Sequence, residues 1–320
     1  MILAGDIGGT KTNLGLFERQ NGKIVRTAYR RYPSREHAGL DEIVKDFAGM
    51  TGAKVSAAAF GIAGPVVDGK VRTGNLPWIV DGAALAQELG LAGVRLLNDL
   101  EAAGYGVGLM GAGDLETLYA GVDAPQAPRV VIAAGTGLGE CLLFWTGNRY
   151  VPMATEAGHA DFAPQTDQQA DLWKYIKARN EFASAEMVLS GRGFQTLHEF
   201  LNPSVRHGGF DGPANDPAPG ITQRALAGEC PVCDAAVNLW VEIYGSEAGN
   251  LAVRTVARGG IYIAGGIAVK ILQRVKDGRF VAAAQHKEKM TEFLKRVSIH
   301  VVLNEDCPLL GAASAAFEAV

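Results

Sequence analysis

The sequence predicts an α/β fold in two lobes, and three observations carry that expectation. Apolar runs of strand length alternate with stretches of helical periodicity. Three of those runs end in glycine pairs or clusters, the punctuation of a strand that turns sharply at its carboxyl end. Finally, 320 residues with 48% hydrophobic content are enough for about two domains, each with its own core, at roughly 100–200 residues per domain.

The first element is the short strand Met1 to Ala4, which runs into Asp6-Ile7-Gly8-Gly9-Thr10; Asn13 to Phe17 resumes the apolar pattern, making a hairpin. Leu40, Ile43, Val44, Phe47 and Ala48 repeat at helical spacing and stop at Gly52. Val55 to Phe60 is a buried strand. A helix opened by Asp81 and closed near Gly90 leads to the strand Val94 to Leu97, which ends in the polar pair Asn98-Asp99. The glycine-rich stretch from Gly104 and the turn near Pro125 and Pro128 form the candidate hinge between lobes. Val130 to Ala133 is a strand entering Gly135-Thr136-Gly137-Leu138-Gly139. Asn202 to Gly220, rich in Pro, Gly and Asp, is a long surface loop. Ala236, Val237, Trp240, Ile243 and Tyr244 trace one face of a long helix, and Ile261 to Ala264 is a strand ending in Gly265-Gly266. The expected boundaries are residues 1–109 plus 301–320 for a smaller lobe and 110–300 for a larger one.

Composition removes several function classes. Thirty Lys and Arg against 34 Asp and Glu give a net charge of −4, and no basic cluster exceeds two residues, so no electrostatic footprint for nucleic acid is present. Uncharged stretches such as Ala102 to Gly113 fall short of the roughly 20 apolar residues of a membrane span. Asp6 cuts short any secretory signal, and four cysteines fit a reducing compartment, so a cytoplasmic location is expected. Cys230 and Cys233 form a CxxC, but the sequence offers neither a second CxxC nor a nearby His pair to complete four zinc ligands.

Glycines after strands let backbone N–H groups approach a phosphate without an intervening side chain. One such turn is ordinary, while three, two of them carrying a threonine, point to a bound nucleotide. Gly9-Thr10-Lys11-Thr12 lacks the glycine directly before lysine that a P-loop requires, and Gly135-x-Gly137 is followed by Glu140 where a dinucleotide fingerprint needs glycine.

The ordered set of first glycine turn, Leu97-Asn98-Asp99, second glycine turn and Ile263-Ala264-Gly265-Gly266-Ile267 resembles the superfamily of sugar kinases, actin and heat-shock chaperone ATPases. Within it the whole chain is similar to the bacterial ATP-dependent glucokinase family, above all in the blocks Glu156 to Pro164 and Ser184 to Gly191. The resemblance implies a two-lobed actin-like ATPase (ribonuclease H-like) fold with nucleotide and sugar in the interlobe cleft. It further implies ATP with Mg²⁺ as cofactors, glucose phosphorylated at its 6-hydroxyl, and a homodimer. Lys11-Thr12 looks closer to a wider group of bacterial sugar kinases and repressors. That group carries a cysteine-rich zinc motif beside its sugar-binding His, and no Cys lies between Cys141 and Cys230 to serve His159 in that way.

Phosphorylating a sugar needs a base for the hydroxyl proton, charge neutralisation of the triphosphate, and donors for the transferred group. Asp99, after a buried strand, is the best candidate base; the same position also suits a cap for the helix that begins with Leu100. Asn98 offers both donor and acceptor to a polyol. Glu156 and His159, three apart, face one side of a helix or turn. Glu186 is either a sugar ligand or a first-turn acid favoured by the helix dipole. The family assigns Asn98, Asp99, Glu156, His159 and Glu186 to the sugar, and Asn75 in Gly74-Asn75-Leu76 is placed near them, although a loop Asn is also a common turn former. Asp6 is expected to orient Mg²⁺ waters. Gly8, Gly9, Thr10, Thr136 and Gly137 are expected to face the phosphates, with Gly265 and Gly266 near the adenosine. The nearest alternative is a kinase of another hexose, such as mannose, fructose or an N-acylated amino sugar. A sugar-sensing repressor would need a helix-turn-helix for which the strand starting at Ile2 leaves no room. A chaperone-like or actin-like ATPase has no need of the Glu156/His159 and Glu186 blocks.

Overall fold

A computed structural model describes residues 1–207 and 217–319. The chain divides into two compact units: Met1–Asp114 with Trp145–Ala154 and Asn304–Val320, and Leu115–Phe144 with Thr155–Leu303.

The first unit is built on a five-stranded mixed sheet in the order Lys23–Pro33, Lys11–Gln20, Ile2–Ile7, Ala57–Ile62, Arg95–Asn98. The first three strands are antiparallel neighbours, and the last three run parallel. Pairing moves the expected Val55–Phe60 strand to Ala57–Ile62, because Ile2 sits opposite Ala57 while Ser56 donates its N–H to the Met1 carbonyl at 2.9 Å. The helix Leu40–Thr51 buries Leu40, Ile43, Val44 and Phe47 as its spacing predicts and ends where Gly52 turns left-handed at φ 62°. The edge strand Lys23–Pro33 escaped the sequence reading because it is largely exposed and rich in arginine, so no apolar alternation marks it. A small antiparallel sheet of Val66–Val67, Lys70–Arg72 and Ile79–Asp81 was likewise unmarked.

The glycine-rich stretch from Gly104 needs a correction. Its first residues are not hinge but the end of the helix Asp99–Val107, and the glycines serve packing. A Cβ on Gly106 would collide with the Cys307 carbonyl, and one on Gly311 with the Ala102 carbonyl, so this helix and Cys307–Phe317 cross backbone to backbone. Leu309, Ala312, Ala313 and Ala316 of the C-terminal helix join Ile2, Ala4, Phe17, Ala57 and Leu97 in one buried cluster.

In the second unit, five strands follow the order Leu138–Trp145, Arg129–Ala134, Ile261–Ala264, Ile299–Val302, Leu115–Tyr119. The three in the middle are parallel and the two flanking ones antiparallel to their neighbours. The helix Pro231–Thr255 lies in the core: Trp240 stacks on Phe194 with ring centroids 4.9 Å apart, and the Tyr244 hydroxyl donates to the Ile132 carbonyl at 3.2 Å. Of the expected loop from Asn202 to Gly220, Pro217–Gly220 instead opens the helix Pro217–Leu226, where Pro at the first position costs no hydrogen bond; residues 208–216 lie outside the described residues. The expectation that no His pair attends the CxxC is also overturned, since His198 and His207 fold against Cys230 and Cys233. Among the described residues no helix is long and apolar enough to cross a membrane.

Candidate functional site

In the first unit the hairpin turn after Ile2–Ile7 presents Gly8, Gly9 and Thr10. The turn is closed by Gly8 N–H donating to the Lys11 carbonyl at 2.9 Å and anchored by the Ser34 hydroxyl, which donates to the Gly8 carbonyl at 2.7 Å and meets the Thr12 hydroxyl at 3.0 Å. Asn75 packs onto it: a Cβ on Gly9 would stand 2.7 Å from the Asn75 Cβ. The Asn75 loop is held by Thr73, whose hydroxyl donates to the Leu76 carbonyl at 2.8 Å, while Asn75 itself stays exposed.

Asp6 sits opposite Asn13 in the hairpin register, and the Asn13 amide donates to its carboxylate at 3.1 Å. The Asn13 carbonyl oxygen in turn accepts from the Tyr29 hydroxyl at 2.9 Å and Arg31 Nε at 3.0 Å. Burial pushes the Asp6 carboxyl above the usual carboxylate range, against the lowering by the Asn13 hydrogen bond and Lys11. Asn13 and Thr12 were missed in the sequence, where a polar pair inside an apolar strand was the available signal; both are buried.

Asn98 ends its strand and caps the next helix. Its oxygen accepts from Leu100 N–H at 2.9 Å, and its amide donates to the Gly64 carbonyl at 3.2 Å. The capping role that the sequence allowed for Asp99 therefore belongs mainly to Asn98, and Asp99 occupies the first helical position, with Oδ1 accepting from Leu100 N–H at 3.0 Å.

The second unit gathers residues from two distant blocks. Ala157–His159 forms a single 3₁₀ turn with Glu156 at its start, and Glu186 lies in the short helix Ala185–Val188. The two blocks are stitched together by Phe162 N–H to the Ala183 carbonyl and Ala185 N–H to the Ala160 carbonyl, each at 2.9 Å. His159 consequently stands between two carboxylates, Nε2 3.9 Å from Glu156 Oε2 and Nδ1 3.9 Å from Glu186 Oε1. Glu186 also accepts from Leu138 N–H at 2.9 Å and presses on Gly137, so this cluster abuts the second glycine turn. That turn, Gly135 to Gly137, is closed by Gly135 N–H to the Gly137 carbonyl at 2.8 Å, with Thr136 exposed at its tip. Gly265 adopts φ 86° after the strand Ile261–Ala264, with Gly266 starting the next helix, and both are exposed; a Cβ on Gly265 would stand 2.7 Å from the Ala134 carbonyl.

Gly158 was not singled out in the sequence, yet any side chain there would drive into the Leu138 carbonyl. Gly158→Ala is expected to push the 3₁₀ turn away from the glycine turn and cost about 1–3 kcal/mol. A thermal melt checks the stability, and sugar binding measured on the folded fraction should weaken with it; unchanged values in both would refute this account of the turn.

The first unit carries a glycine turn with an exposed threonine and a carboxylate at a helix start, and the second carries two carboxylates about an imidazole beside another glycine turn with an exposed threonine, residue types that suit phosphoryl transfer to a polyol. Comparison with known proteins agrees. The family model described as Glucokinase matches residues 3–319. A glucokinase of a Nostoc species is 37% identical over 98% of each chain. The crystal structure of a glucokinase from an Antarctic psychrotroph superimposes with a TM-score of 0.86 at 28% identity, covering 99% of this chain and 98% of that one. A ROK family glucokinase from Streptomyces griseus, solved with glucose and AMPPNP, shares the fold with a TM-score of 0.68 at 21% identity over 99% of each chain. The expected actin-like ATPase fold is thus the one this chain adopts, and the chain belongs to the glucokinase family of ATP-dependent hexose kinases.

Proposed function

We propose that this chain transfers the γ-phosphoryl group of ATP to the 6-hydroxyl of glucose, with Asp99 as the base that takes the hydroxyl proton. The observation that supports it best is the convergence of Glu156, His159 and Glu186 within 3.9 Å contacts, from blocks far apart in the chain. A neutral sugar has only hydroxyls to recognise, and carboxylate acceptors beside an imidazole that donates or accepts by tautomer can engage neighbouring ones. Asn98, with one amide hydrogen and one lone pair beyond its two backbone bonds, and Asn75 add further partners in the first unit.

Asp99 holds the base role because its carboxylate follows a strand's carboxyl end at the first helical position, where it can accept a proton as the oxygen attacks. Backbone N–H groups of Gly9 and Gly137, with the Thr10 and Thr136 hydroxyls, are donors for the charge that spreads over the transferred group; the Gly8 N–H is spent on the Lys11 carbonyl, so Gly8 shapes the turn instead of donating. Gly265 and Gly266 leave room for the adenosine. Mg²⁺, when bound, neutralises triphosphate charge. Asp6 suits it: a carboxylate pushed up by burial is an oxygen donor that a hard cation returns to the ionised form, and the Asn13 amide fixes its direction. The family resemblance also supports a cytoplasmic location and a homodimer; light scattering on the purified protein tests the dimer.

The test is ADP release with Mg²⁺-ATP across a panel of hexoses. Glucose should give the highest kcat/KM; turnover on mannose, fructose or an N-acylated amino sugar alone would keep the chemistry and move the substrate, and sugar-independent turnover would refute the reading. His159→Ala should raise the KM for glucose by at least ~10-fold while leaving the KM for ATP within ~2-fold, because it removes sugar contacts only. A rise in the KM for ATP of equal size would argue instead that the second unit's turn has collapsed.

A further inference from the structure

We propose that Cys230, Cys233, His198 and His207 form a structural zinc site, separate from the sugar- and phosphate-facing residues. Their donor atoms all lie within 4.8 Å of one another. His207 Nε2 is 3.3 Å from Cys230 Sγ and 3.4 Å from Cys233 Sγ. With Zn–S near 2.3 Å and Zn–N near 2.0–2.1 Å, a tetrahedral ion sets its sulfur and nitrogen ligands about 3.5 Å apart, so these two edges are already at the length the ion requires. Both thiols are buried, at 6% and 0% exposure, and His198 is 1% exposed.

The sequence around the cluster prepares it in three ways. Cys230 is the N-cap of Pro231–Thr255 and Cys233 lies in its first turn, so one helix start holds both sulfurs. Cys233 N–H donates to Cys230 Sγ at 3.4 Å, orienting that sulfur. His198 comes from the last turn of Gly191–Leu201 and His207 from the chain just beyond it, with their rings edge to face at 5.4 Å. Two sulfur and two nitrogen donors without a carboxylate select zinc over magnesium or calcium, and a closed set of four protein ligands marks a structural ion, with no position left for substrate.

The consequence is mechanical. Gly191–Leu201 begins where Gly191 N–H donates to the Gly135 carbonyl at 2.9 Å, so its first residue holds the second glycine turn. An ion at its other end ties that helix to the start of the long core helix and braces the turn from behind.

The experiment uses full-length protein without a polyhistidine tag, kept reduced, stripped with a chelator, reloaded with ZnCl₂ and desalted before metal analysis. The wild type should retain about one zinc per chain, and its melting temperature should rise on reloading. His207→Ala and Cys233→Ser should each lose the retained zinc and the melting shift while keeping the wild-type circular dichroism. Loading with Co²⁺ instead should give the intense visible bands of a tetrahedral thiolate site. Wild type that holds no zinc with both thiols reduced, a Co²⁺ spectrum of octahedral type, or His207→Ala with undiminished zinc would each overturn the proposal. If either variant fails to fold, the wild-type stoichiometry and Co²⁺ spectrum decide it alone.

Discussion

Asp99→Asn should lower kcat for glucose phosphorylation by about 10²–10⁴-fold, the range general-base removal produces. The substitution is chosen to isolate the proton-accepting function. Asparagine keeps an oxygen where Asp99 Oδ1 accepts from Leu100 N–H at 3.0 Å, and it keeps the shape of the first helical position. What it loses is a charge at the helix N-terminus, worth about 0.3–1 kcal/mol, too little to unfold the chain. The KM for glucose should change far less than kcat, because Glu156, His159 and Glu186 remain. The measurement is coupled-assay kinetics over a range of glucose concentrations, with circular dichroism as the fold check. A kcat within tenfold of wild type would remove Asp99 from the base role. Glu186→Gln run beside it sharpens the result: Glu186 faces His159 at 3.9 Å and accepts from Leu138 N–H, so its loss should show mainly in the KM for glucose, and a kcat collapse there would transfer the base to Glu186.

The second large effect concerns stability, at Glu140. This side chain is fully buried on the strand Leu138–Trp145, and neither of its oxygens has a hydrogen-bond partner among the described residues. Burial pushes its carboxyl up to about 8, with further raising by Glu247 and partial relief from Arg254. Arg254 and the Asn250 amide each donate to Glu247 at 2.9 Å, whereas no such donor reaches the Glu140 oxygens among the described residues. Below its unfolded pKa, 4.5, both folded and unfolded forms carry that proton and stability is insensitive to pH. Between there and about 8 the unfolded chain ionises while the folded one stays protonated, so stability falls as pH rises and levels off above that window. The total loss is on the order of 5 kcal/mol. Glu140→Gln removes the titration: the variant should match wild type near pH 5 and be the more stable protein near pH 9, with a flatter profile between. Denaturant midpoints across that range test it, and parallel profiles for the two proteins would show that Glu140 is ionised in the fold.

Much of the site is legible because local rules act on neighbouring residues. The turns at Gly8–Thr10, Gly135–Gly137 and Gly265–Gly266 stand at strand ends where apolar runs stop, and a backbone that must turn or approach a phosphate selects glycine whatever the rest of the chain does. Leu40, Ile43, Val44 and Phe47 line one buried face for the same reason, a period that only neighbours need obey. The Asn98–Asp99 pair at a strand's carboxyl end belongs to this class too, although which residue caps the helix depended on where the strand stopped. Gly104 and Gly106 show the limit. Composition alone cannot separate a flexible loop from a close helix crossing, and the helix Cys307–Phe317 that makes the difference lies at the other end of the chain.

Residues that work across long sequence distances had no such signal. Glu186 meets His159 only because a bridge between Asp161 and Ser184 brings their blocks side by side. Asn13 directs Asp6 through the hairpin register, Glu140 becomes an unusually weak acid only once a core closes around it, and His198 and His207 reach the CxxC through helix packing. Chain order settles backbone conformation residue by residue, because turn and helix preferences are local energies. Burial, charge proximity and donor-to-donor distance are properties of packing, and they exist only after the chain has brought its separated segments together.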